Sequence, residues 1–282
     1  MLLVLDVGNT NTVLGLYRPS QEPAGAPPRF DQMVAHWRVG TIRSSTADEY
    51  GVLFRNLFSM QKIDAAEVKA VVISSVVPPL DSVLREVSER YFQTKPLFIE
   101  PGVKTGMPVL VDNPAEVGAD RIVNGVAAFE RYGGPCVVVD FGTATTFDVI
   151  SERGEYVGGV IAPGIGISAE ALFVRTARLP KVDIRRPAKV IGTNTVAHIQ
   201  SGLFYGYIGL TDGLIERIIE ELGGPKPKVV STGGLATLIA SGSRYIGIVD
   251  EMLTLDGMRI IYERNTGARQ ARKVQGAGEK RT

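Results

Sequence analysis

Along the first hundred residues, apolar runs alternate with polar breaks at two different periods. Residues 2–5 are Leu-Leu-Val-Leu. The run stops at Asp6, passes through Val7 and Gly8-Asn9-Thr10-Asn11, and resumes as Val13-Leu14-Gly15-Leu16-Tyr17. Short apolar runs bounded by turn formers predict strands, so 2–7 and 12–17 pair around that turn. The segment 19–28 is rich in Pro, Gly and Ala and predicts a surface loop, with a third strand at 32–40. Ser45 or Thr46 then caps a helix, with Asp48 and Glu49 in its first turn and Val52, Leu53, Leu57, Phe58 and Met60 as its apolar stripe. A β-branched run at 68–74 predicts a central strand. Helical spacing follows at 79–92 and a short strand at 97–99.

From residue 115 the pattern begins again. A helix at 117–132 ends on Gly133-Gly134-Pro135, and the strand after it, Val137 to Asp140, again ends on an acid. Strands at 145–150 and 156–162, helices at 167–176 and 194–222, a strand at 229–232, a helix at 235–240, a strand at 246–249 and a helix at 251–263 complete the series. Two stretches about 134 positions apart resemble one another, LVLDVGNTNTVLGLY and VVVDFGTATTFDVI. In this alignment Asp6 falls on Asp140, Gly8 on Gly142, Thr10 on Ala144 and Thr12 on Thr146. Each copy opens a β-rich half, which predicts a duplicated domain.

Composition bounds the function. The 282 residues carry 31 Lys and Arg against 30 Asp and Glu, a net charge of +1, so no global field argues for nucleic acid or a membrane surface as partner. The basic stretch from residue 264 to the end is poor in apolar residues and predicts a disordered tail. The one cysteine, Cys136, lies in an apolar run and reads as a core residue; no Cys/His cluster suits zinc. No apolar stretch is long enough to cross a bilayer, and the chain starts on a strand-like run with no basic n-region. The expectation is a soluble, cytoplasmic protein.

The repeated turn suits a phosphate. Backbone N–H groups of a tight turn converge without adding charge, glycine permits close approach, and Asn and Thr add donors. An acid at the strand end can hold a cation that shields phosphate charge. A third Gly-rich strand–turn–helix, VVSTGGLATL at 229–238, adds an adenosine-type contact at Gly233-Gly234. Neither a GxxxxGK[ST] loop nor a GxGxxG following a strand is present, which disfavours P-loop kinases and Rossmann dehydrogenases.

Two phosphate turns on duplicated domains with a late adenosine motif resemble the actin/Hsp70/sugar-kinase superfamily. Within it the chain resembles type III pantothenate kinase over about residues 1–262, through DVGNTNT (6–12), DNPAEVGADRIVN (112–124), DFGTATTFD (140–148), GGVIAPGIGIS (158–168), IGTNT (191–195) and STGGLA (231–236). The resemblance implies an α/β fold of two duplicated actin-like (ribonuclease H-like) domains, each a mixed five-stranded sheet flanked by helices. They would span 1–115 and 116–263, with 264–282 as the tail. It implies transfer of a phosphoryl group from ATP to pantothenate, the first step of coenzyme A biosynthesis. On the matching positions it implies Asp120 as the catalytic base. It implies Asp6, Val7, Gly8, Asn9, Thr10, Asn11, Thr12, Val13 and Thr143 as ATP contacts. Gly118, Ala119, Asp120, Arg121 and Thr195 would contact the substrate, Arg121 being suited to the pantothenate carboxylate. Asp140 would hold a monovalent cation, K⁺ or NH₄⁺, and Asp6 would serve Mg²⁺. The resemblance also implies a homodimer.

Some residues stand apart from these assignments. Thr195 also reads as the cap of the helix at 194–222, and Asp120 as an ordinary helix N-terminal acid beside Arg121. Val111 departs from the Tyr common in the family just before Asp112-Asn113-Pro114. His36, His198 and Trp37 read as structural. The apolar residues Ile199, Leu203, Phe204, Tyr207, Ile208 and Leu210 of the long helix suggest burial beyond a single domain. Two alternatives remain beside the kinase: a catalytically weak nucleotide-binding regulator, and a kinase of another small hydroxyl acceptor.

Overall fold

The computed structural model describes residues 1–21 and 29–278, with side chains up to residue 266. Strands β1 (Leu2–Val7), β2 (Asn11–Arg18), β3 (Gln32–Gly40), β4 (Ala70–Ser75) and β5 (Leu97–Phe98) form one sheet in the order β3-β2-β1-β4-β5. Strands β6 (Cys136–Phe141), β7 (Ala144–Ile150), β8 (Tyr156–Pro163), β9 (Lys228–Thr232) and β10 (Ile248–Val249) form the other, in the order β10-β9-β6-β7-β8. Read from the opposite edge, the second order is the first. In both sheets the first three strands of the copy are antiparallel and the last two are added parallel.

The duplication extends to irregularities. The register slips between Leu16 and Tyr17 in one copy and between Val149 and Ile150 in the other. The strands themselves correct the alignment of the two turns. Val7 pairs with Thr12, while Phe141 pairs with Thr145. Thr12 therefore corresponds to Thr145, not Thr146, and both are wholly buried. The second turn is one residue shorter: Gly8 N–H donates to the Asn11 carbonyl, but Gly142 N–H donates to that of Ala144.

Why these segments are strands is plain from burial. In β1 and β4, Leu3, Leu5, Val7, Val71 and Ile73 face a core completed by α1 (Ala47–Met60) and α2 (Asp81–Phe92) through Phe54, Phe58, Leu84 and Val87. Each such side chain contributes about 1.5–3 kcal/mol on burial, so a one-residue slip, which turns every side chain over, is heavily disfavoured. Thr46 caps α1 in a full capping box with Glu49, which settles the choice between Ser45 and Thr46. Trp37 stacks on Phe58 with ring centroids 5.2 Å apart, a packing role. In the second sheet Val137, Val139, Phe141 and Phe147 face α5 (Thr195–Leu222) and α6 (Ala236–Ala240). Cys136 is wholly buried and its thiol is pushed up to about 12 by burial, which suits a core residue and not a nucleophile.

The chain divides into two compact units, neither a single run. One comprises residues 1–106, 115–127 and 254–282, the other 107–114 and 128–253. Helix α3 (Ala119–Tyr132) begins in the first and ends in the second. The last helix, α7, runs Leu253–Gly278, well beyond the 251–263 expected, and belongs to the first unit from Thr254 on. Much of the stretch expected as a disordered tail is thus helical. Its Ala, Arg, Gln and Lys are good helix formers, and a packed helix extends at little cost once nucleated. Asn265 and Arg264 tie it to the carbonyls of Lys104 and Thr105. The reading of residues 279–282 as tail, and of 22–28 as loop, lies outside the described residues.

Candidate active site

In the first unit the β1–β2 turn is held from one side by the residues that follow β3. Thr41 Oγ1 donates to the Gly8 carbonyl at 2.8 Å and lies 2.9 Å from Thr12 Oγ1, while its N–H donates to the Thr10 carbonyl. Arg43 donates to Asn9 Oδ1 at 2.7 Å, which brings an exposed cation to the tip of the turn. Asp6 ends β1 half-buried, Val7 is buried, Gly8 and Asn11 are half-buried, and Asn9 and Thr10 are exposed at the tip. Thr12 is sealed in, and Val13, one residue on, pairs with Asp6 across the ladder. The turn thus exposes Asn9 and Thr10 at its tip, while Thr12 at its base is buried.

Gly118, Ala119, Asp120 and Arg121 form the entry to α3. The Gly118 carbonyl accepts from the N–H groups of Arg121 and Ile122, which starts the helix. Asp120 Oδ1 accepts from Arg121 N–H at 2.9 Å. A methyl on Gly118 would sit 2.5 Å from Asp120 Oδ1, so glycine is what lets the carboxylate fold back over the helix start. Burial raises the Asp120 pKa, and it outweighs the opposing pull of the helix-entry N–H and of Arg121. A helix N-terminal acid would ordinarily be pushed down. The upward shift makes the carboxylate a stronger proton acceptor, which favours a general base.

In the second unit Asp140, the Gly142–Thr143 turn and two glycines converge. A methyl on Gly233 would lie 2.5 Å from Asp140 Oδ1, and Gly233 has φ +92°. A methyl on Gly164, which precedes α4 (Ile165–Arg175), would lie 2.1 Å from the Thr143 carbonyl oxygen and 2.7 Å from that of Gly142. Asp140 is half-buried and Thr143 exposed. Behind them Asp148, wholly buried, accepts from Tyr156 at 2.8 Å and from Thr146 at 3.3 Å, a brace across the strands. Thr195 is the first residue of α5 but not its cap. Asn194 Oδ1 takes that role, accepting from Ala197 N–H at 2.9 Å, and Thr195 is left exposed. His198 donates to the Gly192 carbonyl, a structural contact.

The structure therefore gathers Asp6 to Val13 and Gly118 to Arg121 in one unit, and Asp140, Thr143 and Thr195 in the other. Thr41 and Arg43 escaped the sequence reading, and Gly164 entered it only within the GGVIAPGIGIS stretch, without a role. Thr41 and Arg43 lie thirty residues beyond the turn they brace, and only strand pairing brings them there. Among the described residues no three His, Cys, Asp or Glu side chains cluster as a ready metal site. A cation at Asp6 or Asp140 would take most of its oxygens from phosphate, water or backbone carbonyls.

Residues 2–217 match the family described as type III pantothenate kinase. A type III pantothenate kinase of Koribacter versatilis is 68% identical over 265 residues, covering 94% of this chain and 96% of that one. Among solved structures, a chain assigned to the Baf family of transcriptional activators from Campylobacter jejuni has a TM-score of 0.57 at 20% identity, covering 93% of this chain and 98% of the other. A chain assigned as a 2-dehydro-3-deoxygalactonokinase from Sinorhizobium meliloti has a TM-score of 0.52 at 13% identity, with 97% of each covered. At such identities these two show the fold alone, two mixed five-stranded sheets flanked by helices.

Proposed function

The chain belongs to the type III pantothenate kinase family, and from that premise we propose how its own residues carry out phosphoryl transfer from ATP to pantothenate in coenzyme A biosynthesis. Asp120 is the general base. As the pantothenate hydroxyl oxygen attacks the γ-phosphorus and the bond from that phosphorus to the ADP oxygen breaks, the hydroxyl proton passes to the Asp120 carboxylate. The observation that carries this role is the half-buried carboxylate folded back over the α3 entry, whose pKa is raised by desolvation where a helix start would lower it. Arg121 beside it serves the pantothenate carboxylate, Gly118 and Ala119 line the same turn, and Thr195 offers an exposed hydroxyl to substrate.

The β1–β2 turn, Asp6 to Val13, grips ATP phosphates with its backbone and with Asn9, Thr10 and Asn11, and Thr143 adds a contact from the second turn. Arg43, fixed by Asn9, supplies positive charge beside the first turn. Asp6 and Asp140 fit hard cations, because each is a carboxylate next to a turn whose backbone carbonyls and Thr or Asn side chains offer further oxygen ligands. Asp6 would take Mg²⁺. Asp140, with the Gly142–Thr143 turn that follows it, would take K⁺ or NH₄⁺. Bound there, the cations would supply charge neutralisation along the phosphate chain.

A homodimer belongs to the same reading, though its support has moved. Ile199, Leu203, Phe204 and Tyr207 of α5 are buried against their own sheet, and Ile208 and Leu210 pack there too. The unit's most exposed large apolar residues include Ile161 on edge strand β8, Val174 on α4, and Val190 and Ile191 ahead of α5, with Phe173 beside Val174. An ATP-consuming enzyme of this kind fits the cytoplasm. No described helix is long and apolar enough to cross a membrane. The test is ADP release with pantothenate, ATP and Mg²⁺, run with and without K⁺. Pantothenate-dependent turnover stimulated by K⁺ is expected. ATP binding without turnover on any donor would overturn the kinase reading.

A further inference from the structure

Asp6 on β1 stands in register with Ser74 on β4. Parallel neighbours in register lie about 4.8 Å apart and point to the same face. It is not the face that Leu3, Leu5, Val71 and Ile73 give to the α1–α2 core. Ser74 is 1% exposed, and its Oγ has no hydrogen-bond partner. Its neighbour Ser75 is explained within the fold, since its Oγ accepts from Val77 N–H at 3.2 Å. Ser74 is not, and a buried hydroxyl without a partner is selected against unless something else uses it.

The duplicated sheet repeats the arrangement. Asp140 on β6 stands in register with Thr232 on β9, itself 2% exposed. The two segments, Ser-Ser-Val-Val and Ser-Thr-Gly-Gly, differ in sequence, yet each sets a hydroxyl residue against the acid that closes its phosphate turn. Packing does not ask for a hydroxyl here. Two residues earlier on the same face stand Val72 and Val230, both wholly buried.

We propose that Ser74 is a positioning residue for the divalent cation that ATP carries to Asp6, with Ser74 Oγ accepting a hydrogen bond from a water of the cation's shell. This rests on the reading of Asp6 as the Mg²⁺ acid. Asp6 alone would leave the cation free to swing along the strand end. A second oxygen one strand away fixes its shell, and through it the phosphate chain, relative to the turn.

The test follows the thermal unfolding of the full chain with ATP at fixed concentration and Mg²⁺ titrated, for wild type, Ser74→Ala, Ser74→Thr and Asp6→Asn, with turnover assayed alongside. Without ligands, Ser74→Ala should unfold no lower than wild type, because the hydroxyl it removes is unpaired. Its Mg²⁺ midpoint should move up about fivefold or more, the worth of one hydrogen bond, while Ser74→Thr keeps the wild-type midpoint. A wild-type midpoint in Ser74→Ala, or a lowered ligand-free unfolding temperature there, overturns the proposal. If Asp6→Asn titrates like wild type, the Asp6 reading falls and the Ser74 role with it. If wild type fails to turn over pantothenate while Ser74→Ala still shifts the midpoint, the activity reading fails alone and the cation role stands.

Discussion

Asp120 shows how one residue can invert its local rule. At a helix entry a carboxylate is stabilised in its charged form, yet here burial wins and the pKa rises from 3.8. The folded state therefore holds the proton more tightly than the unfolded chain. The stability linked to it is present below pH 3.8 and is lost as pH climbs through the raised pKa. Asp120→Asn should unfold at or above the wild-type temperature at neutral pH, with that gap closing as pH falls below 3.8. Turnover should fall about 10²–10⁴-fold, the usual worth of a general base. In wild type the acid limb of kcat/KM should sit above the ordinary aspartate range. Unaltered turnover in the variant, read beside circular dichroism, would remove Asp120 from the mechanism. Its position was legible in Gly118-Ala119-Asp120-Arg121, because the first turn of a helix is a local pattern. The burial that tunes it was not, since that comes from residues distant in sequence.

At the scale of elements, strands and helices were legible wherever one face is apolar, and their ends were less so. The expected helix at 167–176 begins two residues sooner, at Ile165, because Gly164 and not a polar side chain precedes it. The turn alignment slipped by one, since Thr145-Thr146 offers two equivalent threonines and only the ladder chooses between them. Least legible was the grip of α7 on α3. Thr254 Oγ1 donates to the buried Asn124 at 2.7 Å, and a methyl on Gly257 would lie 2.2 Å from the Val123 carbonyl oxygen and 2.7 Å from Val123 Cγ1. A lone glycine in a helix reads as a weak point until the helix against it is known. Gly257→Ala must push α7 away from the turn of α3 just after Asp120. It should cost about 1–3 kcal/mol in denaturant unfolding and, with Asp120 as the proposed base, lower kcat more than it raises the KM for ATP, because Asp120 moves and the β1–β2 turn does not. Wild-type stability in that variant would mean the two helices separate without loss.

For the whole molecule, the duplicated sheets explain why two distant Asp-x-Gly turns look alike, and the sequence showed it because tight turns between strands tolerate few residue types. Surface assignment was different. An apolar helix such as α5 suggests a partner, but periodicity alone cannot say whether the partner is another chain or its own sheet. The packing of Phe204 and Tyr207 answers that for α5. Among the large apolar side chains that the second unit leaves exposed are Ile161, Phe173, Val174, Val190 and Ile191, exposed by 64%, 47%, 62%, 61% and 84% respectively. Large apolar side chains at such exposure suit a surface that association would bury. Edge strand β8 adds unpaired backbone beyond Tyr156, the residue that bridges to Val109. If two copies meet through this surface, Phe173→Asp with Ile191→Asp should convert the dimer to a monomer in sedimentation velocity. Those side chains are exposed, so the variant's helical content should match wild type. A monomeric wild type, or a doubly substituted protein that still sediments as a dimer, would mean that this surface does not join two copies.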